Sequence, residues 1–154
     1  MADWETRELA LLACDLDDES PQVLADAQAR ALALGALDCV LIATHMKKGR
    51  PGVRVELLCA VEDSRRFVEF LLTHTATLGV RESRVLRHAL RREERRVAVR
   101  GSEVRTKVAL LDGRVLRAVP EFEDCRALAE RQGIPSRQVL DEAKGAALAL
   151  LEPG

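Results

Sequence analysis

The period of the apolar residues switches back and forth along the first ninety positions, and the order of those switches constrains the fold more than any other feature. Residues Glu8 to Leu16 read as a strand carrying Leu9, Leu11, Leu12 and Leu16. Ser20-Pro21 then has the form of a helix start, with serine as the cap and proline in the first helical position. Val23, Leu24, Ala27, Ala31 and Leu34 follow at helical spacing, up to a terminating Gly35. Leu37 to Thr44 is an apolar strand. His45 to Gly52, HMKKGRPG, reads as a loop from its glycine and proline content. Val53 to Val61 alternates with period two, so Val53, Val55 and Leu57 face one way and Arg54 and Glu56 the other. Asp63-Ser64 caps a second helix bearing Phe67, Val68, Phe70, Leu71 and Leu72. A turn at Gly79 leads into a strand over Val80 to Leu90.

The order β-α-β-β-α-β is that of a ferredoxin-like sheet, antiparallel with two helices on one face. The rest of the chain reads differently. Short strands at Arg95 to Val99, Val104 to Leu111 and Arg114 to Val119 are separated by Gly101-Ser102 and Asp112-Gly113, the latter a strong hairpin signal. Helices are expected over Glu121 to Gln132 and Ser136 to Leu151. The expected class is therefore α+β. A ferredoxin-like βαββαβ subdomain over 1–93 precedes a small β-meander with two C-terminal helices over 94–154, divided near Glu93 to Arg95.

At 154 residues, a globule buries roughly 68–70% of its unfolded surface, enough for a core without staples. The four cysteines are far apart with no CxxC pair, which argues against structural zinc. The only aromatics are Trp4, Phe67, Phe70 and Phe122, too few for the stacking platforms of single-stranded nucleic-acid binders. The net charge of −1 gives no global field toward nucleic acid or membrane. The longest apolar run, Ala36 to Ala43, is broken by Asp38 and too short to span a bilayer. The start lacks the basic and apolar regions of a secretory signal, so a cytoplasmic location is expected.

Charge is clustered, however. Asp15, Asp17 and Asp18 lie at a strand end just before a helix. Carboxylates so close repel, and either hold a hard cation such as magnesium or manganese or serve as helix-start acids. Lys47, Lys48 and Arg50, with Gly49 and Gly52, form a loop that either gathers phosphate oxygens or is simply solvated. Thr75, Thr77 and Arg81 surround a glycine turn and either donate to phosphate or decorate a helix end. Glu121 and Asp124 sit in a first helical turn, where the dipole alone accounts for them, though a metal or ribose contact is open to them. His45, His74 and His88 have no second histidine at ligand spacing. There is no Ser-His-Asp order, Walker loop or dinucleotide fingerprint. Together the clusters sketch a site for a divalent cation with a polyphosphate.

The segments LDCVLIATHMKKGRPG, TLGVR, GSEVRTKVALLDG and PEFEDC, preceded by DLDDESP, resemble in order the C-terminal half of the LarC-type nickel-insertion proteins, from about Leu11 to Ala143. The resemblance implies a domain that binds cytidine triphosphate (CTP) with Mg2+ or Mn2+. It also implies a part in a CTP-dependent nickel chelatase, acting with an N-terminal nickel-handling domain or subunit. Nickel is the substrate metal, inserted into pyridinium-3,5-bisthiocarboxylic acid mononucleotide for the lactate racemase cofactor. A homo-oligomer, trimer or hexamer, is implied as well. Carried over by position, Asp17 and Asp18 would meet the cation, and Asp15, which stands where the family has Asn, is a candidate beside them from its place in the acidic cluster. Lys47, Lys48, Arg50, Thr77, Arg81, Glu121 and Asp124 would likewise meet the nucleotide, and Gly52 and Thr75 are candidates beside them from the residue pattern alone. No residue is assigned to catalysis. Ala13, Thr44, His74 and Val119 stand where the family usually has Glu, Pro, Glu and Lys. Two further readings are a diverged, non-catalytic nucleotide- or anion-binding module and a purely structural oligomerisation domain.

Overall fold

The computed structural model describes residues 3–151. The first two residues of the start that was read as lacking a secretory signal, and the last three residues of the chain, lie outside the described residues. The chain divides into two compact units, Thr6–Arg87 and Met1–Glu5 with His88–Gly154.

The first unit follows the expected order: β1 (Glu5–Leu16), α1 (Pro21–Ala33), β2 (Asp38–His45), β3 (Pro51–Cys59), α2 (Ser64–His74) and β4 (Arg81–Ala89). The sheet order is β2-β3-β1-β4, with β3 antiparallel to both its neighbours. This is the ferredoxin-like arrangement. Strand β1 begins earlier than expected because its first four residues are exposed and carry no apolar period. From Leu9 onward Ala10, Leu12, Cys14 and Leu16 face inward. They pack with Cys39, Val55, Leu57 and Cys59 under Leu24, Ala27 and Ala31 of α1 and Phe67, Phe70 and Leu71 of α2. Alternate positions on the strands and helical spacing on the helices thus build one core.

Two local expectations need correction. The segment His45 to Gly52 is not all loop: Thr44 pairs with Gly52 and His45 with Pro51, so the hairpin closes on Met46 to Arg50. Met46 N–H donates to the Arg50 carbonyl at 2.8 Å. Pro51 is tolerated because it is the first residue of its strand, where its missing N–H costs no interior ladder bond. Asp63 makes no capping hydrogen bond to α2. Its carboxylate takes Arg66 at 3.1 Å instead.

The second unit is a three-stranded meander, β5 (Arg91–Val99), β6 (Ser102–Leu111) and β7 (Arg114–Pro120), followed by α3 (Phe122–Gln132) and α4 (Ser136–Ala147). Asp112-Gly113 forms the expected tight turn, with φ of 52° and 77°. The other turn is Arg100-Gly101 rather than Gly101-Ser102, because Val99 pairs with Ser102. Both its residues also have positive φ, 50° and 74°, the signature of a type I′ hairpin. Strand β5 starts four residues before expected, since the run RREERR has no apolar member to mark it. Val97, Val99 and Val104 pack against Cys125, Leu128 and Ala129 of α3 and Val139, Ala143 and Ala147 of α4. Among the described residues no helix is long and apolar enough to cross a membrane.

Candidate functional site

Strand β1 runs out of the first unit's sheet into the acidic cluster, and its neighbours in the sheet decide what that cluster touches. Asp15 is in register with Arg54 of β3, on the face of the sheet opposite the helices. On the other side of β1, strand β4 opens with Arg81. Arg54 Nε donates to Asp15 Oδ1 at 2.7 Å and Arg54 Nη2 to Oδ2 at 3.2 Å. Arg81 Nη2 donates to Oδ2 at 2.8 Å. Arg54 first, and Arg81 second, hold the Asp15 carboxyl down at about 2 from the ordinary 3.8.

Asp17 Oδ2 accepts from Arg50 Nη1 at 3.3 Å. Asp18 has no partner among the described residues, and neither do the ammonium groups of Lys47 and Lys48. Glu19 ties two elements together, accepting from Ser20 N at 3.0 Å and from Ala76 N at 2.6 Å. The hydroxyls of Thr75 and Thr77 shape the turn into β4. Thr75 donates to the Leu71 carbonyl at 2.7 Å and Thr77 to the Gly79 carbonyl at 2.9 Å. Two clefts meet at Asp15 and Asp17. One, of about 510 Å³, is lined by Asp18, Thr77, Gly79 and Arg81. The other, of about 460 Å³, is lined by Thr44, Lys47 and Arg54.

Gly52 has a steric reason to be glycine. A Cβ there would lie 2.5 Å from Met46 Sδ and 2.7 Å from the Leu16 carbonyl oxygen. Gly52→Ala is expected to cost about 1–3 kcal/mol and to displace the basic loop. Because the carbonyl belongs to the backbone, adding Met46→Ala should restore only part of that loss in urea titrations. Full restoration would show that the methionine alone makes the contact tight.

A divalent cation fits this site only in one way. Both Asp15 oxygens are engaged by arginine, and among the described residues no group of three or more His, Cys, Asp or Glu is arranged to hold a metal. Asp17 and Asp18 remain as one or two carboxylates, the complement that magnesium uses when phosphates and water complete its shell.

Glu121 and Asp124 belong to the second unit, where they fasten α3 to β6. Lys107 Nζ lies 2.6 Å from Glu121 Oε1. Arg105 Nε and Nη2 donate to Asp124 at 2.9 and 2.7 Å, and Arg105 N–H donates at 3.0 Å. Those bonds hold the Asp124 carboxyl at about 2. Both Asp15 and Asp124 thus have a folded pKa below the unfolded one. Their contribution to stability is complete above about pH 4 and is lost as pH falls through about 2. Urea unfolding of the double variant Asp15→Asn, Asp124→Asn is expected to show a shallower fall over that window than the parent. Equal slopes would refute the linkage.

Arg54 is the site residue that the sequence pattern hid. It reads as an ordinary outward position of an alternating strand, and only the β1–β3 register sets it opposite Asp15. Thr44 was legible as a departure before the basic loop, not as a cleft wall. Its buried hydroxyl has no hydrogen-bond partner among the described residues.

Fold and charge pattern together define an α+β protein whose ferredoxin-like unit gathers lysine and arginine side chains around an acidic strand end. The chain belongs to the nickel insertion protein family, whose model matches residues 1–140. It is similar to LarC2, the C-terminal domain of a cyclometallase involved in the synthesis of the NPN cofactor of lactate racemase. The TM-score is 0.80 at 30% identity, over 92% of this chain and 98% of that one. A Myxococcus xanthus relative is 42% identical over 145 residues, 94% of this chain and 36% of its own length. The pyridinium-3,5-bisthiocarboxylic acid mononucleotide nickel insertion protein of Acetivibrio thermocellus is 34% identical over 145 residues, again 94% of this chain and 35% of its own length. The chain thus spans about a third of the length of these curated relatives.

Proposed function

We propose that this chain supplies the nucleotide-binding domain of a nickel insertion protein, taking CTP with Mg2+ or Mn2+ at the end of β1. The observation that carries this reading is the meeting of two clefts at Asp15 and Asp17, with Arg81 on one wall and Lys47 and Arg54 on the other. Arg81, Arg54, Lys47, Lys48 and Arg50 offset the triphosphate charge, with guanidinium forks suited to phosphate oxygens. Asp17 and Asp18 hold the cation, which neutralises phosphate charge when bound. The domain works with an N-terminal nickel-handling domain or subunit, as a cytoplasmic homo-oligomer. The whole inserts nickel into pyridinium-3,5-bisthiocarboxylic acid mononucleotide.

Calorimetric titration of CTP with and without Mn2+ tests this, on the parent and on Asp17→Ala, Asp18→Ala. Manganese-dependent binding, weakened about tenfold or more in the variant, is the expected result. Absence of CTP binding under both conditions would sink the proposal. The grip of Arg54 and Arg81 on Asp15 favours a second reading, a metal-free anion-binding module. Binding that ignores manganese and both aspartate substitutions would select it.

A further inference from the structure

A second charged cluster belongs to the unit built from β5–β7, α3 and α4. The register of the meander sets Arg96 of β5 directly opposite Arg105 of β6. Like charges facing each other across a ladder are destabilising unless something neutralises them. On α3, Asp124, Ala127 and Arg131 recur at i, i+3 and i+7, so they form one stripe of the helix. These side chains and Glu103 line a half-open cavity of about 240 Å³. The small side chain of Ala127 leaves it open.

Among the side chains that line the cavity the charges do not cancel, although Glu94, outside the lining, is near enough to act on Arg96 and Arg105. Glu103 takes Arg96 Nη1 at 2.7 Å, and Asp124 takes the Nε and Nη2 of Arg105. Arg131 has no ion-pair partner among the described residues. Three guanidiniums thus face two carboxylates. Arg96 retains Nε and Nη2, and Arg105 retains Nη1, as donors that no described residue uses. Asp124 fixes the plane of the Arg105 fork, since it also accepts from the Arg105 backbone N–H at 3.0 Å. Favourable placement of Arg131 at a helix C-terminus explains its charge sign, but not its convergence on a like-charged pair.

We propose that this cavity binds a phosphoryl group, held by Arg96, Arg105 and Arg131. A tetrahedral dianion offers enough oxygens for three forks arriving from a sheet and a helix, which a planar carboxylate does not. The group belongs either to free phosphate or to a nucleoside monophosphate. The inference is independent of CTP binding at the end of β1.

Inorganic phosphate and cytidine monophosphate are titrated separately into the full chain, with arginine Nε–H resonances followed by NMR. Saturable shifts at Arg96, Arg105 and Arg131 are expected. Arg131→Gln, which breaks no ion pair and so leaves folding intact, should weaken binding about tenfold or more. Glu103→Gln should strengthen it severalfold, because it releases Arg96. Arg81→Glu should leave these shifts unchanged, which separates them from any failure at the β1 site. Tighter binding of the nucleotide assigns the group to a nucleoside monophosphate, and equal or tighter binding of phosphate assigns it to the free ion. No saturable shift with either probe, or the parent's affinity in Arg131→Gln, overturns the proposal.

Discussion

Arg81→Glu is expected to reduce affinity for manganese–CTP about a hundredfold or more, with the fold retained. The size of the effect follows from position. Arg81 is the first residue of β4 and lies 2.8 Å from Asp15 Oδ2. Its replacement removes a guanidinium from the wall of the larger cleft and sets a second carboxylate beside Asp15. The new charge repels an incoming triphosphate and withdraws one of the two groups that keep the Asp15 carboxyl low. Arg81 is more than half exposed, so the fold tolerates the change. Calorimetry reads the affinity and circular dichroism the fold. Near-parent affinity in a folded variant would remove the larger cleft from the binding site and leave only the Lys47 side.

Phe67→Ala is expected to have the largest effect on stability, about 3–5 kcal/mol. Phe67 is the largest of the fully buried side chains and lies in α2, in the core beneath the sheet. Its ring cannot be replaced by the residues around it without moving α2. Typical domains hold only about 5–15 kcal/mol in all, so much of the margin would go. The urea midpoint should fall while the slope stays constant, as for a change in stability alone. A loss below about 1 kcal/mol would mean that the site collapses around the deletion far better than such cores usually do.

The course of the backbone was largely legible because its signals are local. Ser20-Pro21 marks the start of α1, and Ser20 Oγ does accept from Gln22 N–H, at 3.3 Å. Asp112-Gly113 marks a turn that needs two residues with positive φ. Arg100-Gly101 was misplaced by one residue because an arginine in the left-handed region is not a sequence signal. The start of β5 was hidden because six charged residues in a row show no apolar period.

The candidate site was legible as a set of charged positions, and the contacts those positions make were not. Asp15, Asp17, Asp18, Lys47 and Arg81 stand out by charge and spacing. That Asp15 would be clasped by Arg54 and Arg81 depends on which strands flank β1, a non-local fact that no short motif carries. Glu121 and Asp124 read as possible ligands. In the structure their carboxylates join helix to strand, through Lys107 and Arg105.

On the nucleotide-binding reading proposed above, the clasp on Asp15 would have a consequence for selectivity. A carboxylate held by the chain within hydrogen-bonding distance of two guanidiniums is a built-in competitor, and its effective concentration is of the millimolar order or higher. Chloride, or an anion of single charge, must displace that resident group while bringing no more charge than it does. A ligand with several charges can recruit Lys47, Lys48 and Arg50 at the same time and so win the exchange. If the proposed nucleotide binds there, the internal carboxylate would act as a threshold, silencing the site toward the abundant small anions of a cell and leaving it responsive to polyanions.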